Sequence, residues 1–302
     1  MLSEKLRALA QRQIYFGTSS WKYEGWKGLV YHRPYTSEKQ FNEECLTEYS
    51  GIYPTVGVDH TYYAWPSPTT FEKYVDQTPE DFLFGLKATE RVTVFQYPKL
   101  KRYGKDAGKI NESFLDANLF AENFLAPLEP FKDRLGPIMF EFSQFYPGMI
   151  ASGSEFTERL EKFLSALRAY PGFQFAVEMR NQNWLKAPYF EMLERQDTGH
   201  VFNSWTRMPP IDEQLKAAEK FKPPVYVARL LLEPGTKYEE AVEAYSPYRE
   251  IQNPLPSVRA ATAALVVRAI QFGVPAFVFV NNRSEGCAPR TIEAILELLK
   301  DV

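Results

Sequence analysis

Phe173-Gln174-Phe175-Ala176-Val177-Glu178-Met179-Arg180 alternates a wholly apolar set with a second set that turns charged at its C-terminal end. Side chains alternate between the two faces of a strand, and in a parallel barrel the outward face packs on helices while the inward face fills the barrel or reaches its mouth. Phe173, Phe175 and Val177 must then meet helices, which sends Gln174, Ala176, Glu178 and Arg180 inward. Seven further short apolar runs begin near Ile14, Thr55, Leu83, Ile138, His200, Val225 and Pro275, each followed by a helical pattern. Eight strand-then-helix units over 302 residues have the size and rhythm of an α/β chain folded as a single (β/α)8 TIM barrel. The barrel is expected over 14–302, preceded by a short amphipathic helical extension, 1–13, patterned on Leu2, Leu6 and Leu9.

The parity argument extends to the other strands. Val56 and Val58 face out, so Asp59 faces in; Leu83-Phe84-Gly85-Leu86-Lys87 sends Lys87 inward. Ile138-Met139-Phe140-Glu141-Phe142 presents Glu141, Arg229 points inward if Val227 does, and strand 8 ends in Asn281 and Asn282, one of which points in. Residues at the C-terminal strand ends form the active site of such barrels. The long intervals after strands 3 and 7 are loops on that same face, where functional insertions collect. The first carries Lys99, Lys101, Arg102, Lys105 and Lys109 against Asp106 alone, interleaved with aromatics, and reads as a solvated rim that recruits anions.

Composition narrows the classes. Hydrophobic content of 45%, charged content of 24% and a net charge of −3 describe a globular chain whose surface as a whole is no nucleic-acid or membrane footprint. No stretch approaches the roughly 18 to 20 apolar residues of a membrane span, and the charged N-terminus has no signal-peptide core. With only Cys45 and Cys287, a disulfide framework and a Cys-rich zinc site are ruled out, and a reducing cytoplasm is the expected location.

Three inward carboxylates, Asp59, Glu141 and Glu178, thus face three inward cations, Lys87, Arg180 and Arg229. A purely structural ion network is the bland reading, but burying ions costs several kcal/mol each before pairing. Opposed charges at a cleft suit general acid–base work. Glu178 is expected as the acid or base, oriented by Arg180, with Lys87 as a second proton carrier or electrophilic stabiliser. Asp59, Glu141, Arg229 and Asn281 are expected to bind substrate. Trp21, Tyr62, Tyr63 and Trp184, which follow strands 1, 2 and 5, supply a stacking wall. No cofactor and no metal site are expected. A single divalent cation on Asp59, Glu141 and Glu178 is the alternative, although the balancing cations already neutralise that set. Neither a P-loop, a dinucleotide glycine fingerprint, HExxH nor GxSxG occurs.

Several segments carry a family likeness: Gly17-Thr18-Ser19-Ser20-Trp21-Lys22-Tyr23 with Trp26 and Gly28, Thr61-Tyr62-Tyr63 before Pro66-Ser67, and Phe84-Gly85-Leu86-Lys87. Ala176-Val177-Glu178-Met179-Arg180 with Trp184, Arg229, and Asn281-Asn282 before Gly286 complete the set. With these the chain resembles the family called domain of unknown function 72 (YecE-like) over nearly its full length. The resemblance implies the barrel and highlights Lys87, Glu178, Arg180, Arg229 and Asn281; it implies no reaction. The chain departs from the family pattern at Gly57, Asp59, Glu141 and Leu231, where that pattern has glutamate, asparagine, glutamine and histidine.

The expectation is a cytoplasmic enzyme using acid–base chemistry on a polar or anionic small molecule, sugar- or phosphate-like. The alternatives are a nucleic-acid-binding or processing protein that grips phosphates through Lys99–Lys109, and a barrel that binds a ligand without turnover. Salt dependence separates the nucleic-acid reading from the others.

Overall fold

The computed structural model describes residues 2–233 and 235–300. Eight parallel strands close into a barrel in chain order: β1 Ile14–Thr18, β2 Thr55–Val58, β3 Leu83–Lys87, β4 Leu135–Phe142, β5 Phe175–Met179, β6 Gly199–Ser204, β7 Tyr226–Leu230 and β8 Ala276–Val280. β8 returns to β1, with Ile14 opposite Ala276 and Thr18 opposite Val280. This is the (β/α)8 barrel expected from the alternation.

The two faces of the strands separate as parity requires. Val56, Val58, Phe140, Phe175 and Val177 join the outer core against the helices. Met139, Ala176, Val201, Val227, Phe277 and Phe279 form a second, inner cluster together with Tyr15 and Leu83. Phe277 and Phe279 need room inside. A Cβ on Gly136 would lie 2.8 Å from the Phe277 ring, and one on Gly85 would lie 2.2 Å from the Phe279 ring. At Gly85 the β3–β4 pairing also slips in register, so glycine admits both the ring and the irregularity.

The helices follow local rules. Helix Gly153–Leu167 starts at Ser152, whose side chain accepts from Glu155 N. It buries Phe156, Leu160, Phe163, Leu164 and Leu167, one apolar stripe at helical spacing. Helix Pro256–Phe272 stops at Gly273, which adopts φ 66°. At the N-terminus, helix Leu2–Ala10 buries Leu6 and pairs Lys5 with Glu297 at 2.6 Å.

The longest connections after a strand are 88–134 and 231–275. The arm containing Lys99–Lys109 is more ordered than a solvated charge run. Gln96 and Ile110 form an antiparallel bridge, Tyr97 N donates to Lys109 O at 3.0 Å, and Gly108 N donates to Tyr97 O at 2.9 Å. No described helix is long and apolar enough to cross a membrane.

Candidate functional site

Above the inner apolar cluster the side chains turn ionic. β4 and β5 pair with Glu141 opposite Glu178, and both carboxylates point into the barrel. Like charges directly opposite on neighbouring strands repel, so cations must come between them. Arg180 Nη2 reaches Glu141 Oε2 at 2.8 Å and Glu178 Oε1 at 2.9 Å. Arg229, from β7, donates through Nη1 to Glu141 Oε2 at 2.8 Å and also to Glu178 Oε2, and reaches Asp59 Oδ1 through Nη2 at 3.3 Å. Lys87 Nζ sits 2.8 Å from Glu141 Oε2. All six ionisable groups placed inward by parity therefore join one connected network at the C-terminal ends of the strands.

Burial sets the electrostatics. Burial opposes the charge on Glu141, but Arg180, Lys87 and Arg229 outweigh it and hold this carboxyl well below the usual carboxylate range. Burial likewise disfavours the charge on Arg229, and Glu178, Asp59 and Glu141 more than offset that and raise its pKa. Glu178 is fully buried, with both oxygens held by guanidinium groups. It thereby anchors Arg180 and Arg229. Asp59 is the carboxylate that opens toward solvent, with 39% of its side chain exposed.

The aromatic wall is met in part. Tyr62 covers Lys87, whose Nζ lies 3.8 Å from the ring centroid, and Tyr63 stands edge-on to it at 5.0 Å and is largely exposed. Trp21 is buried edge-on against Tyr74 in the outer core. Trp184 stacks on Phe145 at 5.4 Å and Phe156 at 5.5 Å, over Gly153. The structure thus does not bring Trp21 and Trp184 to the ionic network: both follow strand ends in turns, where strand parity no longer aims a side chain. Asn281 caps its own loop through Oδ1, which accepts from Arg283 N at 3.0 Å. The tryptophan that meets the network is Trp205, after β6, with the Arg180 guanidinium 4.2 Å from its ring centroid. The pattern of aromatics following strand ends would have found it.

Asp59, Glu141 and Glu178, the expected alternative cation set, converge instead on the Arg229 guanidinium. Among the described residues no group of three His, Cys, Asp or Glu is placed to hold a metal ion. His200 is buried, bonded at Nδ1 to the Tyr189 hydroxyl at 3.1 Å, and desolvation pushes its pKa down to about 3. A groove of about 370 Å³ opens beside the network, lined by Arg180, Trp205, Arg207, Thr206, Thr236 and Lys237 among others.

Residues 15–302 match the family described as Protein of unknown function DUF72. The chain belongs to that family. It is 26% identical over 181 residues to UPF0759 protein YunF of Bacillus subtilis (strain 168), a match covering 59% of this chain and 54% of that protein. The chain thus matches about half the length of this curated relative. A DUF72 family protein from Thermotoga maritima MSB8 superimposes with a TM-score of 0.61 at 22% identity, covering 95% of this chain and 99% of that one. One from Enterococcus faecalis V583 gives 0.63 at 16%, with 95% of each chain covered. At these identities the two DUF72 structures share the barrel, and the likeness extends no further than the fold.

Proposed function

We propose that this DUF72 barrel is an enzyme that handles a polar, anionic small molecule, sugar- or phosphate-like, by acid–base chemistry at the mouth of the barrel. The observation that carries this reading is the single network of six ionisable groups at the barrel mouth, one of which, Arg180, lines an open groove. An apolar filling, such as Phe277 and Phe279 provide one layer below, closes a barrel without the several kcal/mol that each buried ion costs before pairing. Arg180 borders the groove beside Trp205 and is suited to hold the ligand's anionic group through its guanidinium fork. Asp59, half open and tethered by Arg229, is the candidate base for a carbon-bound proton of the ligand, and Lys87 the candidate acid. Glu141 and Glu178 are positioning residues that fix the three cations.

Thermal-shift measurements across sugar phosphates and sugar acids test the reading. At least one compound is expected to raise the melting temperature by about 3–5 °C at a hundredfold excess over Kd, and Arg180→Met is expected to remove the shift. A panel without effect, or an equal shift in the variant, would contradict it.

A further inference from the structure

The loops after β3 and β4 enclose a second cavity, of about 480 Å³. That volume suits a small molecule. Six aromatic rings line it: Tyr62, Phe95, Tyr97, Tyr103, Phe145 and Tyr146. Its charged lining residues are Lys99 and Arg102, and no carboxylate is among its described lining residues.

The charge on this wall is organised. The Arg102 guanidinium lies 4.9 Å from the Tyr63 ring centroid and 4.7 Å from that of Tyr103, and pairs with Glu90 at 2.9 Å. The Tyr103 hydroxyl also donates to Glu90, at 2.7 Å. Glu90 is therefore spent on holding Arg102 and Tyr103 in place. Lys99, and Lys101 and Lys105 on the same arm, have no carboxylate partner among the described residues. The local field is positive. Tyr146, which lines the cavity, and Tyr63, whose ring lies against Arg102, are both exposed.

We infer that this cavity binds a small planar aromatic anion. Flat ring faces reward a ring over an aliphatic group of equal size, because the ring quadrupole gives offset and edge contacts beyond simple burial. Lys99 and Arg102 take the carboxylate, sulfonate or phosphate group. None of the six network side chains lines this cavity, although Tyr62 borders it and also covers Lys87, and Ser143, Gln144 and Tyr146 line both it and the groove beside the network.

Calorimetric titration of the full chain with phenyl phosphate, cyclohexyl phosphate and inorganic phosphate tests the inference. Phenyl phosphate is expected to bind about five- to tenfold more tightly than cyclohexyl phosphate, and more tightly than inorganic phosphate. Lys99→Met and Tyr97→Leu, each on the exposed arm, should both weaken phenyl phosphate, while Lys237→Met, at an exposed residue of the groove beside the network, leaves it unchanged. Three results would overturn the inference: no binding of phenyl phosphate, equal affinity for the aromatic and aliphatic esters, or a loss of binding in Lys237→Met that Lys99→Met does not share. The last would move the ligand to the groove beside the ionic network.

Discussion

Glu141 and Glu178 stand opposite each other on neighbouring strands, and Arg180 and Arg229 each bridge both carboxylates. Neither glutamate has its charge balanced by a single partner. The network therefore stands or falls as a unit, and its energetics differ from those of the ion pairs on the surface.

Glu141→Gln is expected to cost about 3–5 kcal/mol, the scale for removing one partner of a buried pair. Lys5→Ala, which breaks an exposed pair of 2.6 Å, should cost less than about 1 kcal/mol. Urea unfolding at neutral pH compares the two. Because the native pKa of Glu141 lies below its ordinary 4.5, its contribution is fully present above that pH and is lost as pH falls toward the lowered value. The cost of the substitution should shrink accordingly in acid, and equal small costs for both variants would mean that the network is solvated.

His200 gives a second pH signature. It is buried neutral with a native pKa of about 3 against an ordinary 6.5, so below pH 6.5 the unfolded chain binds the extra proton. Stability from this residue is complete above pH 6.5 and falls by up to about 1.4 kcal/mol per pH unit on the way down to about pH 3. His200→Phe, among Tyr189, Phe190 and Phe202, should flatten the slope between pH 6.5 and 5. An unchanged slope would show that His200 is accessible to protons in the native state.

Gly85→Ala should destabilise the barrel by about 1–3 kcal/mol through overpacking against Phe279. The paired change Gly85→Ala with Phe279→Leu should recover part of that loss in chemical denaturation. If the double variant is no better than the sum of the two singles, the clash is not with Phe279.

The network was legible because each of its members stands on, or just past, a strand: Val177 packs on the helices and so sends Glu178 inward, and Arg229 shares the inward face with Val227. Period-two alternation carries that information directly. It ends where the strand ends, so Trp184, in a turn after β5, packs outward on Phe145 and Phe156. Asn203 was hidden in His200-Val201-Phe202-Asn203, where both faces carry apolar and polar residues; it is fully buried beside the network strand β7, paired in register with Arg229. The Arg102–Glu90–Tyr103 wall depends on a loop folding back on a helix, which no local period encodes.

Proton handling at Asp59 is the centre of the functional account, and hydrogen exchange measures it directly. Incubating the protein in deuterium oxide with the sugar phosphate or sugar acid that stabilises it, and following the ligand by proton NMR, should show a carbon-bound hydrogen replaced by deuterium. Asp59→Asn should still be stabilised by the ligand while its exchange rate falls by about a hundredfold or more. A bound ligand that never exchanges, or an Asp59→Asn variant that exchanges it as fast as the parent, would contradict the account.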